Sequence, residues 1–288
     1  MKKILMSLVF CFCLQNLNAQ VPLTIQNAKQ YQFTSKVNNT TYILGVSVPE
    51  DYTSTKKYPV FYILDGFYTS EIAHGAHRTL EFFKEMEDAI VVTIAGTEKT
   101  KNEWFINRWG DLTFTKDLKN DTFAAKQWNL SMSSLKSRNG VKFLEVLKAE
   151  IIPTIEKNYS TNGKRGIAGH SLGGLFVANL MFNSGDLFEK FGINSPSLKI
   201  WNNNDIRIVE KAFSEKHTEL NAKVILTFGG LESKKNIEDL REFEALLKSH
   251  YKGIETSLVV FDSETHASVT SAMISRNMLY LYSNKLEK

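Results

Sequence analysis

The segment Gly169-His-Ser-Leu-Gly173 places a serine between two glycines in the pattern Gly-x-Ser-x-Gly. A short apolar stretch, residues 165–168, precedes it, and an apolar run of helical character, residues 175–182, follows it. At such a strand-to-helix turn a serine is held in strained dihedrals with its hydroxyl exposed, and the helix N-terminus favours developing negative charge. Side chains at the two glycine positions would collide with the neighbouring backbone. The pattern predicts Ser171 as a nucleophile.

A serine hydroxyl needs a base that accepts its proton, and the six histidines of the chain are the candidates. His266 alone lies between a predicted strand and the last predicted helix, which is the position expected for the base. His170, inside the turn, is expected to direct its side chain away from the serine face. His74 and His77 could share a helix face, but no third ligand is nearby, so packing or solvated roles are favoured over a metal site. We expect no metal and no cofactor.

The base in turn needs a carboxylate that orients its imidazole, in the chain order serine, acid, histidine. Glu232 meets this requirement, because it follows the predicted strand 223–228 through Gly-Gly-Leu. Three competitors remain. Asp205 is also explained as a helix N-cap after three asparagines, and Asp262 and Glu264 are close to the candidate base in sequence. Position favours Glu232 as the acid.

Attack on a carbonyl develops negative charge on its oxygen, which backbone N–H groups can stabilise by ~3 kcal/mol each. The residue after the nucleophile, Leu172, is one predicted donor. The other is predicted just after the apolar run 58–64, where Gly66 would let the backbone approach the substrate and Phe67 would offer its N–H.

These residues must be positioned by the ends of strands. Two runs near the N-terminus, 31–37 and 41–48, predict an antiparallel hairpin. Strands and helices alternate beyond it, which indicates an α/β fold with a mostly parallel central sheet and helices on both faces. The predicted strands are 58–64, 89–95, 166–168, 190–194, 223–228 and 255–261, and the predicted helices are 71–87, 138–159, 171–183, 206–215, 237–251 and a closing segment from about 267.

Between residues 99 and 127 no long periodic element is predicted, although the segment is rich in aromatic residues. Long irregular segments in compact domains are usually functional, and aromatic rings at the carboxyl ends of strands can line a pocket for a ring-bearing group. Trp109 and the neighbouring Arg108 are therefore predicted to contact substrate. Packing of the rings onto the body of the protein is the alternative.

The N-terminus has the pattern of an export signal. Two lysines precede the apolar run 4–14, and Ala19 supplies a small residue for cleavage, so residues 1–19 are predicted to be removed and 20–288 to form a single domain. The run is too short to span a membrane. Both cysteines lie in the signal, which leaves the mature chain without disulfides or thiolate sites. The formal net charge of +4 gives no electrostatic case for a nucleic acid or membrane partner.

Six motifs occur in order along the chain. They are Val46-Ser-Val-Pro-Glu-Asp-Tyr52, Tyr58-Pro-Val-Phe-Tyr-Ile-Leu-Asp-Gly66, Arg108-Trp-Gly-Asp-Leu-Thr113, Gly169-His-Ser-Leu-Gly-Gly174, Ser195-Pro-Ser-Leu198 and Thr265-His-Ala-Ser-Val269. The set resembles the Putative esterase family, the esterase D-like α/β hydrolases, which includes siderophore (enterochelin-type) esterases, feruloyl esterases and S-formylglutathione hydrolases. The resemblance implies an α/β-hydrolase fold, Ser171 as nucleophile and His266 as base.

Together these features predict an exported, cofactor-free serine carboxylic ester hydrolase that resides in the periplasm or outside the cell. Its expected partner is a small-molecule ester, with aryl and siderophore-type esters as candidates. Two alternatives remain: an acyltransferase to a sugar or lipid hydroxyl on the same fold, and a non-catalytic binding protein. The sequence does not indicate an oligomeric state.

Overall fold

The computed structural model describes residues 24–135, 137–196, 198 and 206–283. The predicted export signal and the candidate acid Asp205 lie outside these residues. The strands are β1 (Ala28–Thr34), β2 (Thr41–Ser47), β3 (Tyr58–Ile63), β4 (Ile90–Gly96), β5 (Thr161–His170), β6 (Lys190–Asn194), β7 (Glu219–Gly229) and β8 (Lys252–Phe261). They form one eight-stranded sheet in the order β1-β2-β4-β3-β5-β6-β7-β8. The pairs that involve β2 are antiparallel and the others are parallel, which confirms the predicted α/β class.

The N-terminal hairpin forms as predicted, but its first strand ends earlier than expected, at Thr34 rather than at residue 37. The reason is a turn that begins at Ser35. Its N–H donates to the carbonyl of Thr40 at 2.8 Å, and its hydroxyl accepts from the N–H of Val37 at 3.1 Å. Asn39 completes the turn in the left-handed region, with φ 58°. These hydrogen bonds replace the strand ladder after Thr34.

The helices cover both faces of the sheet. They are α1 (Gly66–Phe82), α2 (Lys101–Asp111), α3 (Leu118–Gln127), α4 (Gly140–Val146 and Ile152–Asn158, joined by a π-helical turn at Leu147–Ile151), α5 (Leu172–Asn183), α6 (Ile206–Ser214), α7 (Lys234–His250) and α8 (Val269–Tyr282). On β3, Phe61 and Ile63 pack towards α1 and α8, while Val60 and Tyr62 pack towards α4, α5 and α7. Within the described ranges, no helix has both the length and the apolar character needed to cross a membrane.

The expectation that residues 99–127 are irregular is wrong, because this segment holds α2 and α3. Each helix has a clear start. The Thr100 side chain accepts from the N–H of Glu103, and the Asp117 side chain accepts from the first-turn N–H groups of α3. The periodic signal is weak because the rings of the two helices are buried to different extents: Phe105 of α2 is buried, whereas Phe123 of α3 is exposed.

Candidate active site

Ser171 lies at the sharp turn between β5 and α5. Its backbone angles, φ 59° and ψ −116°, fall outside the regions that residues with side chains ordinarily adopt, as predicted. A Cβ on Gly169 would lie 2.4 Å from the carbonyl oxygen of Gly173. A Cβ on Gly173 would instead lie 2.9 Å from the carboxylate of Asp65, so a side chain rather than backbone occupies that space. The two glycines therefore permit the strained turn.

A buried asparagine at the end of β6, Asn194, holds this turn from behind. Its carbonyl accepts from the N–H of Ser171 at 2.9 Å, and its Nδ2 donates to the carbonyl of Gly169 at 3.0 Å. Its Oδ1 accepts from Thr227 Oγ1 at 2.8 Å and from Asn277 Nδ2 at 2.9 Å. One side chain thus connects the serine turn to β7 and to the last helix.

Glu232 and His266 meet beyond the carboxyl ends of β7 and β8. His266 Nδ1 lies 2.5 Å from Glu232 Oε2. The imidazole is 48% exposed, whereas the carboxylate is only 8% exposed. His266 and Ser171 line the same cleft. Among the competing acids, Glu264 accepts a hydrogen bond from Ser268 instead. The fold therefore brings the three predicted side chains to one place.

Three hydrogen bonds fix the Glu232 carboxylate. Besides the contact with His266, its Oε1 accepts from Ser195 Oγ at 2.7 Å and from the N–H of Gly229 at 2.9 Å. Burial pushes the pKa of Glu232 upward, but these hydrogen bonds, the one with His266 first, outweigh burial and hold the pKa below its ordinary value. The carboxylate is therefore ionised at neutral pH and can orient the imidazole.

Ser195 also belongs to the site, and its contact with Glu232 was not predicted from the sequence. It appeared there only as part of a family motif. It follows β6 directly, and its N–H donates to the carbonyl of Thr227 at 2.8 Å, with a positive φ of 41°. The strand-end criterion that selected Glu232 would also have found Ser195, because β6 and β7 are parallel neighbours.

The expectation that His170 points away from the serine face is wrong. Its ring centroid lies 4.5 Å from that of His266, and both rings line the cleft. Its Nδ1 is 3.1 Å from the hydroxyl of Tyr68. Burial, followed by repulsion from His266 and Arg108, lowers the pKa of His170 to about 3, so the ring is neutral at pH 7. The contact with Tyr68, which also lines the cleft, holds the ring on this side.

Two helices begin beside Ser171, and the predicted oxyanion donors belong to their first turns. Leu172 opens α5, while Gly66 and Phe67 open α1. First-turn N–H groups have no carbonyl partner four residues back within their own helix, so these groups are suited to bind an anion. Glycine is needed at position 66 for a different reason from the expected approach of substrate. A Cβ there would lie 2.9 Å from the carbonyl carbon of Ile94, so its missing side chain makes room for β4.

Arg108, predicted to contact substrate, is held by a bidentate ion pair. Its Nε lies 2.6 Å from Asp65 Oδ1, and its Nη2 lies 3.0 Å from Oδ2. The same Nη2 donates to the carbonyl of His170 at 2.8 Å. Both side chains of the pair are buried, and the guanidinium lies 5.2 Å from the ring centroid of Trp104. Only the N–H groups on Nη1 of Arg108 are then left to contact a substrate.

An open cleft of about 1080 Å³ lies over Ser171 and His266. Aromatic side chains from α1, α2, α3 and the residue after α3 line much of it, namely Tyr68, Trp104, Phe105, Trp109, Phe123 and Trp128. Trp109, the second residue predicted to contact substrate, is buried, and its indole N–H donates to Asp121 at 2.8 Å. It therefore lines the cleft and also ties α2 to α3.

His74 and His77 lie away from this cleft, on the buried face of α1. Both Nδ1 atoms are 2.8 Å from the hydroxyl of Ser47, and His74 Nε2 is 3.2 Å from Thr93 Oγ1. Burial is the first cause that lowers the pKa of each histidine to about 4. Among the described side chains, no group of three or more His, Cys, Asp or Glu residues is arranged to hold a metal ion.

Comparison with known protein families identifies the family to which this chain belongs. The family model described as Putative esterase matches residues 35–266, which is most of the chain. The chain belongs to the Putative esterase family. The resemblance derived from the six motifs is thereby confirmed, and with it an ester-hydrolysing enzyme on an α/β-hydrolase fold.

Relatives of this esterase match it over nearly its full length. It is 26% identical over 268 residues to the ferri-bacillibactin esterase BesA of Bacillus subtilis (strain 168). That match covers 89% of this chain and 90% of BesA. Its fold is similar to that of the BES protein from Bacillus cereus, with a TM-score of 0.76, 24% identity and coverage of 92% and 98%. The siderophore hydrolase EstB from Aspergillus nidulans is also similar, with a TM-score of 0.73, 19% identity and coverage of 92% and 99%.

Proposed function

We propose that this esterase is an exported serine carboxylic ester hydrolase that forms an acyl-enzyme on Ser171. The observation that carries the proposal is the 2.5 Å contact between His266 Nδ1 and Glu232 Oε2 in the cleft that Ser171 also lines. With Nδ1–H donated to the carboxylate, Nε2 of His266 is the nitrogen that accepts a proton. The three side chains then have the roles of nucleophile, base and orienting acid.

The reaction proceeds in two halves. Ser171 Oγ attacks the ester carbonyl while His266 Nε2 takes its proton, and the resulting imidazolium is stabilised by ionised Glu232. The imidazolium then protonates the leaving alcohol as the carbon–oxygen bond breaks, which leaves the acyl group on Ser171. Water, deprotonated by the same imidazole, attacks the acyl-enzyme and releases the carboxylic acid.

The negative charge of each tetrahedral intermediate is received by backbone N–H groups. We assign Leu172 and Phe67 as the donors, with Gly66 allowing the start of α1 to lie against β4. Because both donors lie in the first turns of helices, the dipoles of α1 and α5 add to the stabilisation.

Ring-bearing esters are the proposed substrate class. The cleft presents aromatic faces that can stack on a planar aryl group. Among its described lining residues, Arg108 is the only one with a permanent charge, and Asp65 neutralises it. Relatives named as a ferri-bacillibactin esterase and a siderophore hydrolase support siderophore-type esters as candidate members of this class. Feruloyl and catecholate esters are therefore the first compounds to assay.

The substrate proposal is tested with a panel of short acyl esters, aryl esters, feruloyl sugars and catecholate trilactones. We expect a higher kcat/KM for aryl-containing esters than for acetyl esters of simple alcohols. A flat or reversed order would leave a general short-chain esterase as the better description. Adding an alcohol acceptor and quantifying its acylated product separates hydrolysis from acyl transfer.

The nucleophile is tested by Ser171→Ala, because the turn is shaped by the glycines and not by the hydroxyl. We expect kcat to fall by ~10⁴ or more with an unchanged circular dichroism spectrum, and a similar loss for His266→Ala. Ser249→Ala is the control, because the Ser249 hydroxyl donates to a carbonyl within α7. We expect this variant to keep wild-type activity. Turnover by Ser171→Ala within tenfold of wild type would falsify the assignment.

Export rests on the N-terminal sequence pattern. Expression of the full chain in a Gram-negative host, followed by fractionation and N-terminal sequencing, should recover a protein that begins at Gln20 outside the cytoplasm. A cytoplasmic product that retains residues 1–19 would overturn this part of the proposal alone.

A further inference from the structure

We infer that Arg108, through its ion pair with Asp65, is a positioning residue that holds the two oxyanion donors in register. The inference rests on the proposed function, because it takes the N–H groups of Phe67 and Leu172 as those donors. It reassigns Arg108 from the substrate contact predicted by sequence to a role that acts through other residues.

The ion pair joins the two turns from which the donors emerge. Asp65 caps the start of α1 in a left-handed conformation, with φ 59° and ψ 37°, and lies two residues before Phe67. His170, whose carbonyl accepts the third hydrogen bond of Arg108 at 2.8 Å, lies two residues before Leu172. A single guanidinium therefore fixes the spacing between the β3–α1 turn and the β5–α5 turn. The hydroxyl of Tyr68 adds a second link between the same turns, since it donates to Asp65 Oδ2 at 3.3 Å and lies 3.1 Å from His170 Nδ1.

The charge of Asp65 makes this pairing necessary for catalysis as well as for geometry. Its carboxylate is 2% exposed and lies close to the N-terminus of α5, 2.9 Å from where a Cβ on Gly173 would be. An unpaired anion at this place would oppose the negative charge that develops on the substrate oxygen, in a site with little water to screen it. Arg108 neutralises that anion.

The same feature separates this role from substrate binding. All N–H donors on Nε and Nη2 of Arg108 are engaged by Asp65 and by the carbonyl of His170. A residue that only binds substrate would raise KM when removed. A residue that aligns the oxyanion donors lowers kcat and leaves KM nearly unchanged, because the ground-state ester does not yet carry the charge.

A double-mutant cycle on Asp65→Asn and Arg108→Met tests the inference. We expect a fall in kcat of about 10²-fold for Asp65→Asn and about 10³-fold for Arg108→Met, with KM within about threefold of wild type. The double variant should be no worse than Arg108→Met alone, since it leaves no unpaired charge. Independent roles would instead multiply to a loss of about 10⁵-fold.

The matched control is an ion pair of β5 that does not line the cleft, in which Arg165 donates to Glu156 Oε1 through both Nε and Nη2. Arg165→Met should keep kcat within about threefold of wild type. If Arg108→Met does not fold, Arg108→Lys preserves the charge but not the bidentate geometry, and it should still lose at least tenfold in kcat.

A second measurement reports on the oxyanion alone. An aryl trifluoromethyl ketone binds serine hydrolases as a tetrahedral oxyanion, whereas the product acid does not. We expect the inhibition constant of the ketone to rise in proportion to the loss of kcat/KM in Asp65→Asn, and that of the product acid to change little. A raised KM with unchanged kcat, or wild-type kcat in Asp65→Asn, overturns the inference while leaving the proposed nucleophile intact. An active Ser171→Ala protein would overturn the proposed function instead.

Discussion

A single carboxylate, Glu232, receives three hydrogen bonds and faces the imidazole of His266. Replacing it with Gln keeps its size and removes its charge. We expect Glu232→Gln to lower kcat by about 10²- to 10⁴-fold, less than Ser171→Ala, because this group orients the base and stabilises the imidazolium but does not react. Steady-state kinetics on an aryl ester at pH 8 measure the effect.

The two acids that precede His266 in sequence are the controls for this change. Asp262→Asn and Glu264→Gln should keep kcat within a fewfold of wild type, since Glu264 bonds Ser268 rather than the base. The choice of acid is wrong if Asp262→Asn is crippling while Glu232→Gln is nearly neutral.

Among single residues, the sequence predicted those that have a catalytic type of side chain and also lie just after a strand. Ser171, Glu232 and His266 follow three mutually parallel strands of one sheet, and the structure brings them together. The direction of the His170 side chain was not predictable, because its partner Tyr68 lies 102 residues away in the chain. The pairing of Arg108 with Asp65 was not predictable either, since the two lie 43 residues apart and meet only through the sheet.

The helices α2 and α3 form one wall of the cleft, and their rings divide into structural and exposed members. Trp109 is buried and donates to Asp121, so Trp109→Ala should cost about 3–5 kcal/mol in the free energy of unfolding. Phe123 is 57% exposed, so Phe123→Ala should leave stability within about 1 kcal/mol. We expect Phe123→Ala to reduce the preference for aryl over acetyl esters by about three- to tenfold, because one stacking surface is removed.

Urea unfolding measures the stability of each variant, and the ratio of kcat/KM for aryl and acetyl esters measures its substrate preference. Phe82→Ala is a suitable control, because Phe82 is an exposed ring at the end of α1 that does not line the cleft. An unchanged ratio in Phe123→Ala would restrict the aromatic wall to a packing role.

At the scale of elements, those with a regular apolar pattern were predictable. The strand at Lys190–Asn194 and the helix start beside Ser171 agree with expectation, because each has a mostly apolar run bounded by polar residues. The pair α2 and α3 was missed, because their apolar rings serve two surfaces, the core and the cleft. Their capping residues, Thr100 and Asp117, held the better signal.

Three buried histidines make the stability of the whole molecule sensitive to acid. The pKa is lowered to about 4 for His74 and His77 and to about 3 for His170, with burial as the first cause in each case. In the unfolded chain a histidine titrates near 6.5, so between those values the unfolded state binds more protons than the folded state. The stability that neutral burial provides is complete above pH 6.5 and is lost as the pH falls towards 4.

We therefore expect the free energy of unfolding to decrease below pH 6.5 by up to about 1.4 kcal/mol per pH unit for each of these histidines. Urea unfolding at pH 7.5, 6 and 5 measures the slope. His77→Leu should reduce it by about one third, whereas His217→Leu, at an exposed position, should not change it. Equal slopes in the two variants would show that acid acts elsewhere.

The asparagine contacts behind the serine turn have a consequence for biosynthesis. Asn277 donates to Asn194, and it lies in the last helix, Val269–Tyr282. A ribosome releases Gly169 and Asn194 first, and the partner from α8 emerges 83 residues after Asn194. While the chain is still being made, Asn194 therefore lacks one of its donors, and the sheet face that α8 covers stays open. We therefore expect a nascent chain that still lacks α8 to be inactive.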